Sequence, residues 1–282
     1  MLAVQERPSS SHDPWVGQSI GNIRIEECVH RGELATVYRG LRDDASVALK
    51  LYRVDSPIPP SKERVSRERE AQRSVEHPCV ARLLGDGVAP DGSPYLVSEW
   101  ISGTTLSSVL EDRHLSWEEM SPILVSITRG LAAIHAKGIV HRDVKPENVM
   151  IRAERAEAVL LDFGHSLLLN EARLTERGWT HGSASYMAPE QAAGETLDGR
   201  ADLYSVGVLL YRALTGVLPF SDVSPAVIMD KHRHEPVVPL RVRVPELNIS
   251  VGAEDLVLWL MAKSPEERVP NARVLLHAIR SL

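Results

Sequence analysis

The sequence of 282 residues predicts an α+β fold in which a small antiparallel-sheet lobe precedes a larger helical lobe. Before Ser98, apolar residues alternate with polar ones in several short runs, as they do in strands with one buried face. Turn residues separate these runs and favour antiparallel hairpins between them. After Gly103 the apolar residues recur at steps of three and four, which is the period of an amphipathic helix.

The first lobe begins after a segment that we expect to be a flexible tail. Residues 1–18 mix proline, serine, glycine and charged residues without periodicity. The alternating apolar residues that predict the first strands are Ile23 and Ile25, Val37 and Leu41, and Val47, Leu49 and Leu51. The proline-rich stretch 56–60 interrupts this sheet, and one charged helix, the main helix of this lobe, is expected at about 62–75.

Two further strands are expected at about 80–85 and 95–99, with Asp91–Gly92 in the turn between them. Four apolar residues at helical steps predict an amphipathic helix ending near residue 137, namely Leu124, Ile127, Leu131 and Ile134. Further helices are expected over 202–214, 225–232, 253–261 and 271–281. We therefore expect a domain over 19–282, with a small lobe over about 19–98, a connecting segment over about 99–103 and a larger lobe over about 104–282.

Composition argues against several classes of protein. The formal net charge of −6 gives no electrostatic basis for binding nucleic acid or an anionic membrane. No apolar stretch approaches the roughly 20 residues of a membrane-spanning helix, and the N-terminus lacks the hydrophobic core of a secretion signal. Cys28 and Cys79 are too few for a disulfide framework or for a zinc site of their own. We therefore expect a cytoplasmic protein without a membrane anchor.

One segment carries residues typical of phosphoryl-transfer chemistry. His141–Asn148 reads HRDVKPEN, in which Lys145 lies two residues after Asp143 and Asn148 lies five residues after it. Asp162 follows fourteen residues after Asn148 and begins an Asp-Phe-Gly turn. These residues supply a carboxylate to accept a hydroxyl proton, a cation for the moving phosphoryl group and two oxygen ligands for Mg²⁺.

The chain resembles the eukaryotic-like (Hanks-type) serine/threonine protein kinases of bacteria over about residues 20–282. The resemblance rests on these motifs together with Val-Ala-Leu-Lys at 47–50 and the run GSASYMAPEQ at 182–191, in the order that the family has. It implies a two-lobed protein kinase fold that binds ATP and Mg²⁺. It also implies transfer of the γ-phosphate of ATP to serine and threonine hydroxyls of protein substrates.

The resemblance assigns roles to the residues of the second lobe. Asp143 is implied as the catalytic base, and Lys145 as the cation whose position goes with serine/threonine specificity. The ordinary alternative for Asp143 is a turn or capping aspartate. Asn148 and Asp162 are implied as the ligands of Mg²⁺, and Ser183 is expected to form hydrogen bonds with Asp143 and Lys145.

The resemblance also implies a nucleotide site that begins with Lys50, which would contact the α- and β-phosphates and pair with a glutamate of the following helix. Glu68 is the preferred partner, with Glu63 and Glu70 as rivals, and a solvated helix face is the ordinary alternative. The other residues implied at the nucleotide are Gly32 at the phosphates, Val29, Val37, Ala48 and Met150 around adenine, and the backbone near Glu99 and Ile101. Any one of these apolar residues is equally typical of plain core packing.

Further residues are implied to support the reactive segment. Glu190 is expected to pair with Arg268, and Asp202 is expected to hold the backbone of the catalytic loop, with a helix N-cap as the ordinary alternative. Arg142 implies a partner that becomes phosphorylated in the activation segment. The candidates for this autophosphorylation are Thr175 and Thr180.

The phosphate-covering loop departs from the family pattern Gly-x-Gly-x-x-Gly. The corresponding residues are His30–Ala35, of which only Gly32 matches a glycine of the pattern. Because glycine lets a backbone approach phosphates closely, we expect a stiffer loop and weaker nucleotide binding. The main alternative to an active kinase is therefore a pseudokinase that acts as a scaffold or allosteric partner. A small-molecule phosphotransferase is the second alternative, against which the docking segment 182–191 argues.

Overall fold

The computed structural model describes residues 13–54, 56, 61–154, 157–163, 167–168 and 181–282. Thr175, Thr180 and Gly164 lie outside the described residues, as does the predicted tail up to residue 12. The chain divides into two compact units. The first includes the chain up to Arg73 together with Arg82–Trp100, and the second includes Ser74–Ala81 and Ile101–Leu282. The predicted assignment of residues 74–81 to the first lobe therefore differs from this division.

An antiparallel sheet of six strands and one long helix make up the first unit. The strands are β1 (Ser19–Ile20), β2 (Ile23–Arg31), β3 (Ala35–Arg42), β4 (Ala45–Tyr52), β5 (Leu83–Val88) and β6 (Pro94–Glu99). Their spatial order is β1-β2-β3-β4-β6-β5, so consecutive strands pair as hairpins except around β5. Helix α1 (Lys62–Ser74) lies between β4 and β5 in the chain, as the sequence predicts.

The two faces of this sheet carry different residues. On one face, Val47, Leu49 and Leu51, which alternate with Lys50 along β4, form a buried cluster with residues of neighbouring strands. These are Ile23, Ile25, Tyr38 and Val97. Because directly paired residues of antiparallel strands share a face, Lys50 lies on the other face with its partners Val37 and Leu96. Helix α1 packs on that second face, where Val65 contacts a cluster that includes Tyr52 and Leu96.

The predicted flexible tail is wrong for its last residues. Trp15 and Val16 pack against the buried cluster of the sheet. The Gly17 amide donates to the Ile25 carbonyl at 3.0 Å, and the Ile25 amide donates to the Gln18 carbonyl at 2.8 Å. The segment is too short to show a repeating pattern of apolar residues. The sequence alone therefore did not indicate that it packs on β2.

The second unit is mainly helical. Its helices are α2 (Leu106–Asp112), α3 (Trp117–His135), α4 (His181–Ala184), α5 (Pro189–Ala192), α6 (Gly199–Thr215), α7 (Pro225–His234), α8 (Leu240–Arg243), α9 (Val251–Leu260) and α10 (Ala272–Arg280). Its short strands are β7 (Gly103–Thr105), β8 (Ile139–Val140), β9 (Val149–Arg152), β10 (Ala158–Leu160) and β11 (Leu167–Leu168). The predicted α+β class, with one sheet-rich part and one helical part, is confirmed. None of the described helices has the length and apolar character needed to cross a membrane.

The predicted helices of the second unit are present, with ends that differ by up to three residues. Capping residues explain the differences at the starts of α6, α9 and α10, because each N-cap precedes the first apolar residue of the helical pattern. Asp198 caps α6, so that helix begins three residues before Asp202, and the alternative of Asp202 as an N-cap is wrong. Helix α3 begins at a capping box in which Ser116 and Glu119 exchange side-chain to backbone hydrogen bonds.

The predicted strand at 80–85 is wrong in its first part. Strand β5 begins at Leu83, whereas Val80 forms a parallel bridge with Leu160 in the second unit. The Leu160 amide donates to the Cys79 carbonyl at 2.9 Å, and the Ala81 amide donates to the Leu160 carbonyl at 2.9 Å. Residues 79–81 therefore pair with the end of β10 in the second unit, although they are apolar like the strand that follows them.

Substitution of Gly130 tests how tightly α3 packs against this bridge. A Cβ atom at Gly130 would lie 2.8 Å from the Cys79 carbonyl oxygen and 2.9 Å from Leu160 Cδ1. We expect Gly130→Ala to lower the free energy of unfolding in urea by about 1–3 kcal/mol, since the carbonyl cannot retreat without disturbing its bond to Leu160. The control Arg129→Ala changes an exposed neighbour and should alter stability by less than about 0.5 kcal/mol. Equal stability of wild type and Gly130→Ala would contradict this packing.

Candidate active site

A buried carboxylate holds the loop that carries the HRDVKPEN residues. This loop joins β8 to β9, and Asp202 of α6 lies beneath it, fully buried. The Asp202 oxygens accept hydrogen bonds from the backbone amides of His141 at 2.9 Å and Arg142 at 2.8 Å. His135 Nε2 lies 2.7 Å from the same carboxylate. Asp202 thus holds the loop backbone, as the sequence predicts.

The surroundings of Asp202 favour its ionised form. Burial alone would raise the pKa of this carboxyl. The hydrogen bond and charge of His135, together with the charge and backbone amide of His141, outweigh burial and hold the pKa below its ordinary value of 3.8. The carboxylate is therefore a permanent acceptor for the loop at neutral pH.

Three polar side chains of the second unit meet around Asp143. Lys145 Nζ lies 2.8 Å from Asp143 Oδ2, and Asn148 Nδ2 donates to the same oxygen at 2.9 Å. Ser183 Oγ donates to Asp143 Oδ1 at 3.0 Å and accepts from Lys145 Nζ at 2.9 Å. The predicted contacts of Ser183 with both residues are therefore present. This cluster places a buried carboxylate between a cation and a hydroxyl.

The amide orientation of Asn148 is fixed by its partners. Asn148 Nδ2 donates to the carbonyl oxygen of Asp143 and to its Oδ2, both at 2.9 Å. Since both of these oxygens only accept, the nitrogen must face them, and Oδ1 is the atom turned away. An amide oxygen of Asn148 and a carboxylate of Asp162 are hard oxygen donors of the kind that Mg²⁺ prefers, so these two residues fit such an ion chemically.

Asp162 follows β10 in an uncommon backbone conformation. Its φ of 55° lies in the left-handed region, which aspartate tolerates better than most residues. The next residue, Phe163, is buried with its ring centroid 5.6 Å from that of His141. His141 Nε2 in turn donates to the Leu161 carbonyl at 3.0 Å. The segment before and after Asp162 is therefore held against the HRDVKPEN loop.

The first unit contains the ion pair that the sequence predicts between Lys50 and Glu68. Lys50 Nζ lies 2.7 Å from Glu68 Oε1, and the Glu68 side chain is only 3% exposed. Both rivals, Glu63 and Glu70, are exposed on α1. The solvated-face alternative therefore describes these two glutamates but not Glu68.

Other contacts that dock α1 were missed by sequence reasoning. Gln72 Nε2 donates to Ser98 Oγ of β6 at 2.9 Å. Arg69 and Arg73 donate to the Asp86 carboxylate of β5 at 3.4 and 3.2 Å. Each pair joins positions that are distant in the sequence, so no local pattern indicates it.

The remaining residues implied at the nucleotide fall in both units. In the first, Val37 and Ala48 share the face of Lys50 and are half-buried. Val29 is 47% exposed on β2, Gly32 lies in the turn after it, and Glu99 ends β6 with its amide bonded to the Arg82 carbonyl at 3.0 Å. In the second, Ile101 is buried in a cluster that Met150 of β9 packs against. The predicted role of each residue at adenine or phosphate stays a prediction.

A second buried ion pair anchors the segment 183–190. Arg268 Nη1 and Nη2 donate to Glu190 Oε1 and Oε2, each at 2.6 Å, and the Arg268 side chain is fully buried. Arg268 also donates to three backbone carbonyls, those of Ala262, Lys263 and Arg200. The pair that the sequence predicts is therefore present in bidentate form, with its remaining donors satisfied.

His232 supports the same segment and was not foreseen in this role. It is fully buried on α7, where Tyr204 OH donates to its Nδ1 at 2.9 Å and its Nε2 donates to the Ser185 carbonyl at 3.0 Å. Burial, together with the nearby charge of Lys263, lowers the pKa of His232 to about 3. The neutral ring thus links α6 to the segment by fixed hydrogen bonds.

Comparison with known proteins shows which sequences this chain matches. The model of the protein kinase domain matches residues 23–279. Serine/threonine-protein kinase pkn3 of Myxococcus xanthus is 34% identical over 92% of this chain, and pkn2 of the same organism is 36% identical over 92%. Serine/threonine-protein kinase PknB of Mycobacterium leprae is 35% identical over 83%. This chain spans 50%, 32% and 38% of the lengths of these three relatives, respectively.

Removal of Arg268 tests the anchoring pair. We expect Arg268→Ala to lower the free energy of unfolding in urea by about 3–5 kcal/mol, because it leaves the Glu190 carboxylate buried without its cation. The control Arg273→Ala removes an exposed arginine of α10 and should change stability by less than about 0.5 kcal/mol. Similar losses for both variants would contradict a structural role for the buried pair.

The pH dependence of stability tests the carboxylate of Asp202. Since its folded pKa lies below the ordinary value of 3.8, its contribution is fully present above that value and is lost as the pH falls through the folded pKa. We expect Asp202→Asn to be less stable than wild type at pH 6, and its stability to fall less on acidification to pH values below about 3.8. Urea unfolding across this range measures both effects, with exposed Asp255→Asn as the control. Parallel pH profiles for wild type and Asp202→Asn would contradict the assignment.

Proposed function

Because this chain belongs to the protein kinase family, we propose that it transfers the γ-phosphoryl group of ATP to serine and threonine hydroxyls of protein substrates. The observation that carries the proposal is the cluster of Lys145, Asn148 and Ser183 around the Asp143 carboxylate. The names of the bacterial relatives, which are serine/threonine-protein kinases, also support it. Proteins are the proposed substrates, and nucleic acid is not a proposed partner.

Asp143 is the proposed catalytic base. Its carboxylate orients the acceptor hydroxyl and accepts the proton as the bond from oxygen to phosphorus forms, while the bond between the γ-phosphorus and the bridging oxygen breaks and ADP leaves. Ser183 already donates a hydroxyl hydrogen bond to Asp143 at 3.0 Å, so this carboxylate is able to accept the bond that an acceptor serine or threonine would donate. Asn148 supports the reactive conformation, because it binds both the backbone carbonyl and the carboxylate of Asp143.

Lys145 is the proposed cation for the transferring phosphoryl group. Its ammonium lies 2.8 Å from Asp143 and donates to Ser183 at 2.9 Å, so two partners hold it beside the base. A cation held in advance stabilises negative charge that develops in the transition state without further reorganisation. The same bond to Ser183 ties the segment 183–190 to the position of the base.

ATP and Mg²⁺ are the proposed cofactors. Bound Mg²⁺ would neutralise charge on the phosphates during transfer, and Asn148 and Asp162 are its proposed ligands in the second unit. In the first unit, Lys50 is proposed to bind the α- and β-phosphates. The buried carboxylate of Glu68 supports this role, because it holds the ammonium group at 2.7 Å and limits its rotamers.

We further propose that the protein is cytoplasmic and phosphorylates its own activation segment at Thr175 or Thr180. Arg142 supports the second proposal, since it directly precedes the proposed base and is largely buried. A guanidinium in this position would offer a phosphorylated residue a bidentate partner.

A transfer assay with the purified protein tests the proposed activity. Incubation with ATP labelled at the γ-phosphate, Mg²⁺ and a generic protein acceptor should label serine and threonine, and EDTA should abolish the signal. Asp143→Asn should lower kcat by about 10²- to 10⁴-fold, because it removes the proton acceptor while keeping the shape of the side chain. Asp255→Asn, an exposed aspartate of α9, is the matched control and should retain activity.

Two results would overturn the proposal. A wild type that transfers no phosphate but folds and binds partners would favour the pseudokinase. Label that appears in small alcohols and not in protein would favour the small-molecule phosphotransferase. Phosphopeptide mapping of the same reactions identifies whether Thr175 or Thr180 is modified, and modification of neither would refute the proposed autophosphorylation sites.

A further inference from the structure

Residues 13–18, here called the N-terminal strap, form an ordered part of the first unit. Trp15 and Val16 pack on the buried cluster of the sheet, and backbone hydrogen bonds join Gly17 and Gln18 to Ile25 of β2. The strap therefore lies on the face of the sheet opposite to Lys50.

The polar anchor of the strap is Asp13. Its side chain is only 4% exposed, and its Oδ1 accepts a hydrogen bond from the Trp15 amide at 3.0 Å. Tyr38 OH lies 3.2 Å from both carboxylate oxygens, and the Arg31 guanidinium donates to Oδ2. Burial and the charge of Asp13 both raise the pKa of Tyr38, so its phenol stays protonated and serves as a donor. Because the buried Asp13 carboxylate has three hydrogen-bond donors, its charge is compensated in the folded protein, unlike that of a typical exposed ion pair.

Arg31 connects this anchor to the phosphate-covering loop. It is the last residue of β2 and pairs with Thr36 of β3, so its side chain lies on the same face as Thr36 and Tyr38. The turn that follows is closed by the Gly32 amide, which donates to the Ala35 carbonyl at 2.9 Å. On the β4 side, the Arg53 amide donates to the Leu34 carbonyl at 2.8 Å. Three contacts therefore hold the turn between β2 and β3.

We propose that Asp13 is a positioning residue for nucleotide binding, which acts through Arg31 to fix the loop His30–Ala35 in a conformation that receives phosphates. This inference rests on the proposed function. A loop that retains one of three pattern glycines cannot easily adjust its backbone to a ligand, so its conformation must be set beforehand. The strap sets it from the face of the sheet opposite to Lys50. The entropy cost of ordering the loop then falls on folding, so it does not reduce the affinity for the nucleotide.

Hydrogen exchange tests the contact without any need for activity. Amide exchange of residues 30–36 should become about fivefold faster in Asp13→Asn and in Arg31→Gln, which corresponds to a local loss of about 1 kcal/mol. Arg24→Gln is the matched control, because it removes an exposed arginine of the same strand, and exchange in the loop should stay as in wild type. Exchange rates equal to those of wild type in both test variants would overturn the inference.

Nucleotide binding tests the consequence. The dissociation constant for ATP and Mg²⁺, measured by calorimetry, should rise about fivefold in Asp13→Asn and in Arg31→Gln. The double variant should show no further rise, since both changes remove one contact. The KM for ATP should follow, whereas kcat and the KM for the protein acceptor should stay unchanged. A lowered Tm with unchanged affinity for ATP would show a merely structural strap and would overturn the inference.

The two proposals fail in different ways. A wild type that binds ATP, loses affinity in the strap variants and yet transfers no phosphate would overturn the proposed function alone. A wild type that transfers phosphate with the same ATP affinity as Asp13→Asn and Arg31→Gln would overturn the strap inference alone.

Discussion

The candidate active site depends on the hydrogen bonds that the buried carboxylate of Asp202 accepts from the loop backbone. It lies on α6, most of whose residues are buried, so the core of the second unit determines its position. Its two oxygens hold the consecutive backbone amides of His141 and Arg142, and Arg142 keeps a positive φ of 67°. Asp143 is the next residue. The backbone position of the proposed base is therefore set by the Asp202 carboxylate and by the packing of α6.

The same helix also places the segment that faces Asp143. Ser205 of α6 donates to the Tyr186 carbonyl at 2.7 Å, and Tyr204 is linked to the Ser185 carbonyl through the neutral ring of His232. Because α6 holds both this segment and the HRDVKPEN loop, it fixes their separation. The hydrogen bond from Ser183 to Asp143 follows from that shared support.

Sequence analysis predicted the parts of this architecture that are encoded in short patterns. The hairpins and the main helices follow from local periodicity, whereas the pairs of Lys50 with Glu68 and of Glu190 with Arg268 were implied by the resemblance to protein kinases. The packed strap, the change of unit at residues 79–82 and the buried role of His232 depend on contacts between distant segments. Such contacts are set by tertiary packing, which overrides the weak local preferences that a single sequence displays.

The polar docking of α1 has a consequence for how this helix can move. Glu68 and Gln72 are four residues apart, so they share one side of the helix and engage Lys50 and Ser98 together. Rotation of the helix about its axis by the angle between consecutive residues, about 100°, would break both hydrogen bonds at once. Apolar contacts would tolerate gradual sliding, but these directional bonds do not. A rotation of helix α1 that releases Gln72 from Ser98 would therefore also release Lys50 from Glu68.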